Sequence, residues 1–328
     1  MPYSNTAAVS RPELKVFLEQ AREADKGLIA DKVLPVYSSD SMTGRYPRYN
    51  IKKGELLNTN LDTKRGPDGS YTRVGRSWEW DTYDCEDRGL EGTVDDSNAA
   101  EMRKFIDLEQ SESKLVRRNV ALSYELRVAQ RIMNTAAVAD GGSGFTAVNS
   151  AVAYTEANIA TIDLARDVNA GIIYLEQRGV NTDELSLVLS STVFDRLRRS
   201  TKLLQYIFGN TIGTGNQALS PEKVADALGI KEILIGKRSY NSARKGQDTS
   251  FTNIWGSSYL ALVNIKAGEF SEGGIGRTIT WTEDASGLYV VETYREEKLR
   301  KDVVRVRQNT AEKIIDSNEG YLITTQWA

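Results

Sequence analysis

The sequence predicts a mixed α+β protein on three observations. Helical periodicity occupies Arg11–Ala30 and much of Ser97–Val138. Extended chain with strong turn signals lies between these two segments, at Val36–Tyr83. From Asn158 onward helices and short strands alternate, and the chain ends in a series of strands. At this length, such a mixture indicates one elaborate domain or two smaller ones.

The composition supports a folded core and removes most catalytic chemistry. The 328 residues are 40% hydrophobic and 27% charged, with a formal net charge of −3. This balance is typical of a globular chain, and it lacks the basic excess of a dedicated nucleic-acid binder. The absence of histidine excludes Ser-His-Asp and Cys-His catalysis and His-based metal sites. We therefore expect no enzyme activity, no metal and no cofactor.

The single cysteine and the hydropathy of the chain predict a soluble cytoplasmic protein. Cys85 cannot form an internal disulfide, which fits a reducing compartment. No run of about 18 apolar residues is present, so the sequence predicts no membrane span. Met1–Ser10 lacks the basic-then-apolar pattern of a signal peptide.

The first predicted helix, Arg11–Ala30, is amphipathic. Ser10 can cap it, Pro12 fits its first turn, and Pro35 follows its end. Its apolar residues recur at helical spacing, namely Leu14, Phe17, Leu18, Ala21 and Leu28. Such a stripe must be covered by the chain's own core or by another copy.

Val36–Tyr83 predicts a long β-hairpin. Gly66-Pro67-Asp68-Gly69 is a strong turn signal, and Tyr71–Tyr83 alternates after it with two tryptophans on one face. The opposite arm contains Pro47, which suits an edge strand. The hairpin has few aliphatic residues and cannot stabilise itself. It must rest on its own domain or on a neighbouring copy, and we expect the neighbouring copy.

Charge is sorted along this region. Ser41–Trp80 contains eight basic and four acidic residues, a local +4, whereas Asp81–Asp96 contains seven acidic residues and one basic, a local −6. Two solvated loops would explain this sorting. Contact between copies also explains it, with the basic hairpin of one copy on the acidic surface of the next. The candidate inter-subunit contacts are Arg45, Arg48, Lys52, Lys53, Arg73, Arg76, Trp78, Trp80, Asp84, Glu86 and Asp87.

A long helix follows the acidic run. Its second part, Glu112–Ala137, would be about 39 Å long at 1.5 Å per residue. Asp96 and Ser97 can cap the region. The expected apolar stripe consists of Leu115, Leu122, Leu126, Ala129 and Met133. Asp140–Gly144, rich in glycine, is the best candidate for a domain boundary.

Beyond this boundary the pattern predicts alternating helices and strands. The expected helices are Asn158–Arg178, one from Ser191 or Thr192 to Leu204, and one opened by Ser220-Pro221 and ended by Gly229. The expected strands are Leu185–Leu189, Glu232–Ile235, Phe251–Trp255, Tyr259–Val263, Thr278–Thr282, Leu288–Tyr294, Asp302–Gln308 and Tyr321–Thr325.

No motif for chemistry is complete. Gly209–Gly215 lacks the Lys-Ser/Thr of a phosphate loop. Asp95-Asp96 fits a helix cap better than a cation site. Cys85 lies among acidic residues, which raise a thiol pKa and oppose nucleophilic chemistry. An α/β enzyme that works through carboxylates remains open by inventory, although no spacing singles out a pair.

Five stretches together resemble the major capsid proteins of tailed double-stranded DNA bacteriophages. They occur in order and span nearly the whole chain. The stretches are Ile29–Val36 with Gly44–Pro47, Thr82–Leu90 with Val94–Asp96, Leu187–Asp195 with Lys202–Leu204, Leu219–Gly229 with Ile235–Gly236, Tyr240–Ala243, Ile254–Gly256 and Leu260–Val263, and Asp302–Gln308 with Ile314–Asp316 and Gly320–Ile323.

The resemblance implies the fold of that family. Its parts are an N-terminal arm (1–35), an extended loop (36–83), a peripheral domain with a long spine helix (84–142), an axial domain (143–276), a β return through the peripheral domain (277–316) and a C-terminal strand rejoining the axial domain (317–328).

The resemblance also implies function and partners. Family members assemble as pentamers and hexamers into an icosahedral shell around the genome, within a virion assembled in the host cytoplasm. A portal protein, a possible decoration protein and weak, non-specific contacts with packaged double-stranded DNA are implied as well. The chain has no long charged N-terminal extension, so we expect a separate scaffolding protein. No loop lysine matches the crosslinking lysine of some members. A bacterial encapsulating compartment with the same fold is the alternative.

Overall fold

Two β-sheets, with one long helix running across both, organise the chain. The computed structural model describes residues 9–10, 27–49, 64–65, 69–71, 73, 78–97, 107–209, 219–244, 246–282 and 287–327. Within these ranges the strands are β1 (Val9–Ser10), β2 (Val36–Ser39), β3 (Thr43–Tyr49), β4 (Trp78–Asp84), β5 (Glu86–Asp95), β6 (Thr146–Asn149), β7 (Leu185–Ser190), β8 (Glu232–Gly236), β9 (Ser239–Asn241), β10 (Phe251–Asn253), β11 (Tyr259–Asn264), β12 (Gly276–Trp281), β13 (Val290–Glu296), β14 (Lys301–Ile314) and β15 (Gly320–Thr324). The α-helices of the same ranges are α1 (Ala30–Val33), α2 (Leu108–Ile132), α3 (Leu164–Glu176), α4 (Ser191–Arg198), α5 (Thr201–Phe208) and α6 (Pro221–Leu228). The predicted α+β class is confirmed.

Strand β14 is the centre of the first sheet, which has six strands in the described part of the chain. It pairs antiparallel with β5, β12 and β13, and its 14 residues are long enough to serve all three. β1 pairs with β13, and β2 lies parallel to β12. The sequence predicts only the first half of this strand, Asp302–Gln308. The strand continues to Ile314 because residues 309–310 still pair with β5 and residues 310–314 pair with β12.

The second sheet has five described strands in the order β6-β15-β11-β7-β8. Its central strands β7 and β11 are almost wholly buried, as expected of a sheet covered on both faces. Helices α3 to α6 cover one face through an apolar cluster that includes Leu187 and Leu262. The C-terminal half of α2 covers the other face, through a cluster that includes Val188 and Val263. The predicted strand at Leu185–Leu189 is confirmed.

Helix α2 connects the two sheets. Its 25 residues span about 37 Å at 1.5 Å per residue. Val116 and Val120, in its first half, pack on valines of β13 and β14. Tyr124, Val128 and Ile132, further along, pack in the cluster beneath the five-stranded sheet. Helix α2 therefore contributes side chains to the apolar clusters of both sheets.

The start of α2 differs from the sequence prediction. Asp107 caps it, and the Gln110 amide donates to Asp107 Oδ1 at 3.3 Å. Asp96 and Ser97, which the sequence predicts to cap the region, are themselves helical and precede residues that lie outside the described ranges. Most of the predicted apolar stripe is confirmed, because Ala129 is buried and Leu122, Leu126 and Met133 pack against the cluster beneath the five-stranded sheet. Leu115 is the exception, at 52% exposed.

Of the remaining helices, α6 follows its predicted caps and the others differ. The helix expected at Asn158–Arg178 begins at Leu164, because Asp163 caps it and accepts a hydrogen bond from the Arg166 amide at 3.1 Å. Ser190, rather than Ser191 or Thr192, occupies the N-cap position of α4. Ser220 accepts a hydrogen bond from the Lys223 amide at 3.3 Å, and Gly229 ends α6 in the left-handed region at φ 68°. The helix expected to run to Leu204 is divided in two by Ser200, whose hydroxyl caps α5 and also donates to the Ile162 carbonyl at 2.8 Å.

The two ends of the chain meet the sheets at different places. Most of the predicted helix Arg11–Ala30 lies outside the described residues, and α1 begins at its last residue. At the other end, Ser317–Glu319 forms a short turn that carries the chain from β14 to β15. The chain thus leaves the six-stranded sheet and adds a strand to the five-stranded one. The division into named domains with the stated boundaries stays a prediction.

Candidate assembly surface

A two-stranded hairpin projects between β2 and β5. β3 and β4 pair antiparallel over seven residue pairs, with Pro47 opposite Trp80. Each strand of a two-stranded ribbon has an outer edge, so the missing N–H of Pro47 is tolerated. The predicted hairpin and its edge position for Pro47 are confirmed. Most of residues 50–77, including the predicted turn, lies outside the described residues.

The base of the hairpin packs on its own subunit. Tyr46 and Tyr83 are 1% and 8% exposed, in a cluster with Cys85 and Ile279. The Tyr46 hydroxyl lies 3.1 Å from Asp81 Oδ2 and 3.3 Å from the Ile314 carbonyl oxygen. Burial and the neighbouring carboxylate raise the pKa of Tyr46 well above its usual range. Two tyrosines therefore supply the apolar contact, although the hairpin has few aliphatic residues. The expectation that the whole hairpin rests on a neighbour is wrong for its base.

Beyond the base, the hairpin presents apolar surface to its surroundings. The Trp80 side chain is 67% exposed. Arg45 and Arg73 are exposed as well, whereas Arg48 is partly buried, with Nη1 3.6 Å from Asp81 Oδ2. Lys52, Lys53, Arg76 and the side chain of Trp78 lie outside the described residues.

The acidic run has a structure that the sequence does not reveal. Residues 86–95 form β5, which pairs with β14 along its full length. Glu91 contacts Arg305 at 2.6 Å, and Asp96 contacts Arg295 at 2.7 Å. The hydrogen bond from Arg295 lowers the pKa of Asp96. Part of the local −6 is therefore offset within the chain, by arginines more than 190 positions away in sequence.

The predicted acidic contacts lie on or beside this strand. Asp84, Glu86 and Asp87 are all exposed. Glu86 pairs with Arg88. Asp87 forms no ion pair with any of the described residues.

A depression of about 780 Å³ lies on the face of the six-stranded sheet opposite α2. It is lined by Asp87, Gly89, Leu90, Glu91, Glu292, Arg305 and Arg307. Gly89 is required there, because a Cβ atom would lie 2.8 Å from both the Arg307 Cβ and the Val306 carbonyl oxygen. Three carboxylates surround two guanidinium groups, so the lining has a local charge of −1 and suits a cationic or aromatic side chain. Sequence reasoning missed this depression, since the paired strands are far apart in the chain.

The described residues contain no group of three or more His, Cys, Asp or Glu side chains that could hold a metal ion. Cys85 is fully buried, and burial, with a smaller contribution from Asp84, raises the pKa of its thiol to about 11. The predicted direction is thus correct, although burial rather than acidic neighbours is the main cause. No helix in the described ranges is both long and apolar enough to cross a membrane.

Comparisons with known proteins address the fold. Neither protein-family models nor curated proteins give a match. Among solved structures, the chain is similar to a phage-related protein from Bordetella bronchiseptica RB50, at TM-score 0.67 and 20% identity, covering 98% of each chain. It is also similar to the capsid of cyanophage P-SCSP1u, at TM-score 0.57 and 12% identity, covering 92% of this chain and 88% of that one. The mature capsid of bacteriophage PhiM1 aligns at TM-score 0.53 and 14% identity, over 88% of this chain and 84% of that one.

Each of these alignments covers at least 88% of this chain. The resemblance found in the sequence is borne out at the level of fold. The chain has the fold of phage major capsid proteins.

Proposed function

We propose that this chain is the subunit of an icosahedral capsid shell that encloses a double-stranded DNA genome. The observation that carries the proposal is the agreement in fold with phage capsid subunits over about nine-tenths of the chain. The same agreement supports a structural rather than an enzymatic role.

In the proposed contact between subunits, the hairpin of one copy lies on the acidic surface of an adjoining copy. The hairpin contributes Trp78 and Trp80 together with the basic residues Arg45, Arg48, Lys52, Lys53, Arg73 and Arg76. The adjoining copy contributes Asp84, Glu86, Asp87 and the depression around Gly89. Two features support this arrangement. Trp80 is exposed on its own subunit, and Asp87 borders a depression that accepts a cationic or aromatic group.

Energy and orientation come from different residues in this contact. Exposed ion pairs contribute about 0–1 kcal/mol each, so the charges mainly set the register between copies. A buried tryptophan contributes more, about 2 kcal/mol or above. Because many such contacts act together in a closed shell, the shell is stable even if each single contact is weak.

The partners follow from this role. The subunit associates with itself as pentamers and hexamers, with a separate scaffolding protein during assembly and a portal protein at one vertex; a decoration protein is a further candidate. A net charge of −3 suits a wall that contains DNA at high density without binding each phosphate. The shell would assemble in the host cytoplasm and remain as the virion capsid.

Expression of the chain, with and without the neighbouring genes, tests the proposal. Size-exclusion chromatography and negative-stain electron microscopy should show large hollow particles. A discrete small oligomer under both conditions would contradict the shell role. Closed shells from the chain alone would contradict the need for a scaffold. If particles isolated from their natural source contain an enzyme instead of DNA, the chain is the shell subunit of a bacterial encapsulating compartment and not of a capsid.

A further inference from the structure

Glu125, in the middle of α2, is completely buried and binds atoms from two distant segments. Its Oε1 atom accepts hydrogen bonds from the Trp255 indole N–H at 2.6 Å and the Ile29 amide at 2.9 Å. Its Oε2 atom accepts from the Ala30 amide at 2.8 Å and lies 3.1 Å from the Ile29 amide. One carboxylate thus holds three described N–H groups.

The two segments belong to different parts of the molecule. Ile29 and Ala30 begin α1 and lead directly into β2 of the six-stranded sheet. Trp255 follows β10 and precedes β11 of the five-stranded sheet, and it is 1% exposed. Gly236 at the end of β8 makes room for the indole, because a Cβ atom there would lie 2.0 Å from it.

Among the described residues, no salt bridge to Glu125 is present. Burial raises the pKa of its carboxyl group and the charge of Asp31 adds a smaller upward contribution, whereas the three N–H donors lower that pKa. The three N–H groups are therefore what stabilises the buried anion. If a buried carboxylate loses one such donor, the free-energy cost of keeping its charge buried rises. The remaining hydrogen bonds to it are then weakened.

We propose that Glu125 is a latch that couples the N-terminal segment to the five-stranded sheet. Residues 27–34 and residues 254–256 hold the same carboxylate, so a displacement of either segment loosens the other. The N-terminal segment has further contacts with the same sheet. The Lys237 amide, just after β8, donates a hydrogen bond to the Gly27 carbonyl at 3.3 Å, and Val33 and Leu34 pack in the apolar cluster that includes Val263. This coupling concerns the folded subunit and does not depend on the proposed capsid function.

Hydrogen exchange of the full chain tests the coupling without touching the N-terminal segment. Trp255→Phe removes only the indole N–H donor. We expect exchange in peptides covering residues 27–34 to rise at least tenfold, while peptides from α3 stay protected. Trp281→Phe is the matched control, because the indole N–H of Trp281 is buried without a hydrogen-bond partner among the described residues. It should leave residues 27–34 unchanged.

Unchanged protection of residues 27–34 in Trp255→Phe would overturn the proposal. An equal rise in all peptides would also overturn it, since that result indicates general destabilisation. Glu125→Gln, which keeps the shape of the side chain, gives a second test. Residues 27–34 and 251–258 should then lose protection together, and loss in only one of them would show that the two segments are independent.

Discussion

Replacement of Trp80 by alanine should weaken assembly and leave the subunit folded. The side chain is 67% exposed, so its removal changes the free energy of unfolding by no more than about 0.5 kcal/mol. An aromatic side chain offers about 200 Å², and two-thirds of that, about 130 Å², is open to a neighbour. Burial of this area contributes about 3 kcal/mol at ~25 cal/mol per Å².

The apparent critical concentration for shell assembly measures this loss. If each subunit inserts one Trp80 into a neighbour, a loss of about 3 kcal/mol raises that concentration about a hundredfold. Light scattering over a dilution series gives the value, and thermal unfolding checks the subunit. Phe251→Ala is the matched control, because Phe251 is an exposed aromatic residue on the separate β9–β10 ribbon. Assembly of the Trp80→Ala variant at the parental critical concentration would show that Trp80 does not contribute to the contact between subunits.

Three further changes probe other parts of the account. Gly89→Ala should lower stability by about 1–3 kcal/mol in thermal unfolding, because the added Cβ collides with β14; an unchanged melting temperature would contradict the close strand approach. Burial raises the pKa of Glu319 from 4.5 to about 7, so the folded chain binds the extra proton and stability falls by about 3 kcal/mol as pH rises across this window. Glu319→Gln should remove that fall in denaturant titrations between pH 4.5 and 7.5, and an unaltered pH profile would exclude it. The Cys85 thiol should react with a maleimide only on unfolding, and rapid labelling of the native chain would show that it is accessible.

Local signals in the sequence were sufficient for elements that carry their own caps or periodicity. Ser220 and Pro221 mark the start of α6, and Gly229 marks its end, because capping chemistry acts within a few residues. The apolar run of β7 is likewise evident from its own residues. The hairpin followed from alternation and Pro47, and the fold followed from the family resemblance.

Features that depend on pairing between distant segments were not accessible in this way. β5 contains two glycines and four carboxylates, and it becomes a strand only because β14 supplies arginines and a complementary edge. The support under the hairpin comes from Tyr46 and Tyr83, which the shortage of aliphatic residues does not suggest. The Glu125 cluster joins segments about 95 and 130 positions away in the chain. Charge sorting was visible in the sequence, but how much of it is neutralised within the subunit was not.

Footprinting of Trp80 by hydroxyl radicals, in free subunits and in assembled particles of the same preparation, shows whether the hairpin contacts a neighbouring copy. We expect strong labelling of Trp80 in free subunits and at least fivefold protection in particles, with Tyr46 protected in both. Equal labelling of Trp80 in the two states would show that the hairpin does not contact a neighbour, and the proposed mode of assembly would be wrong.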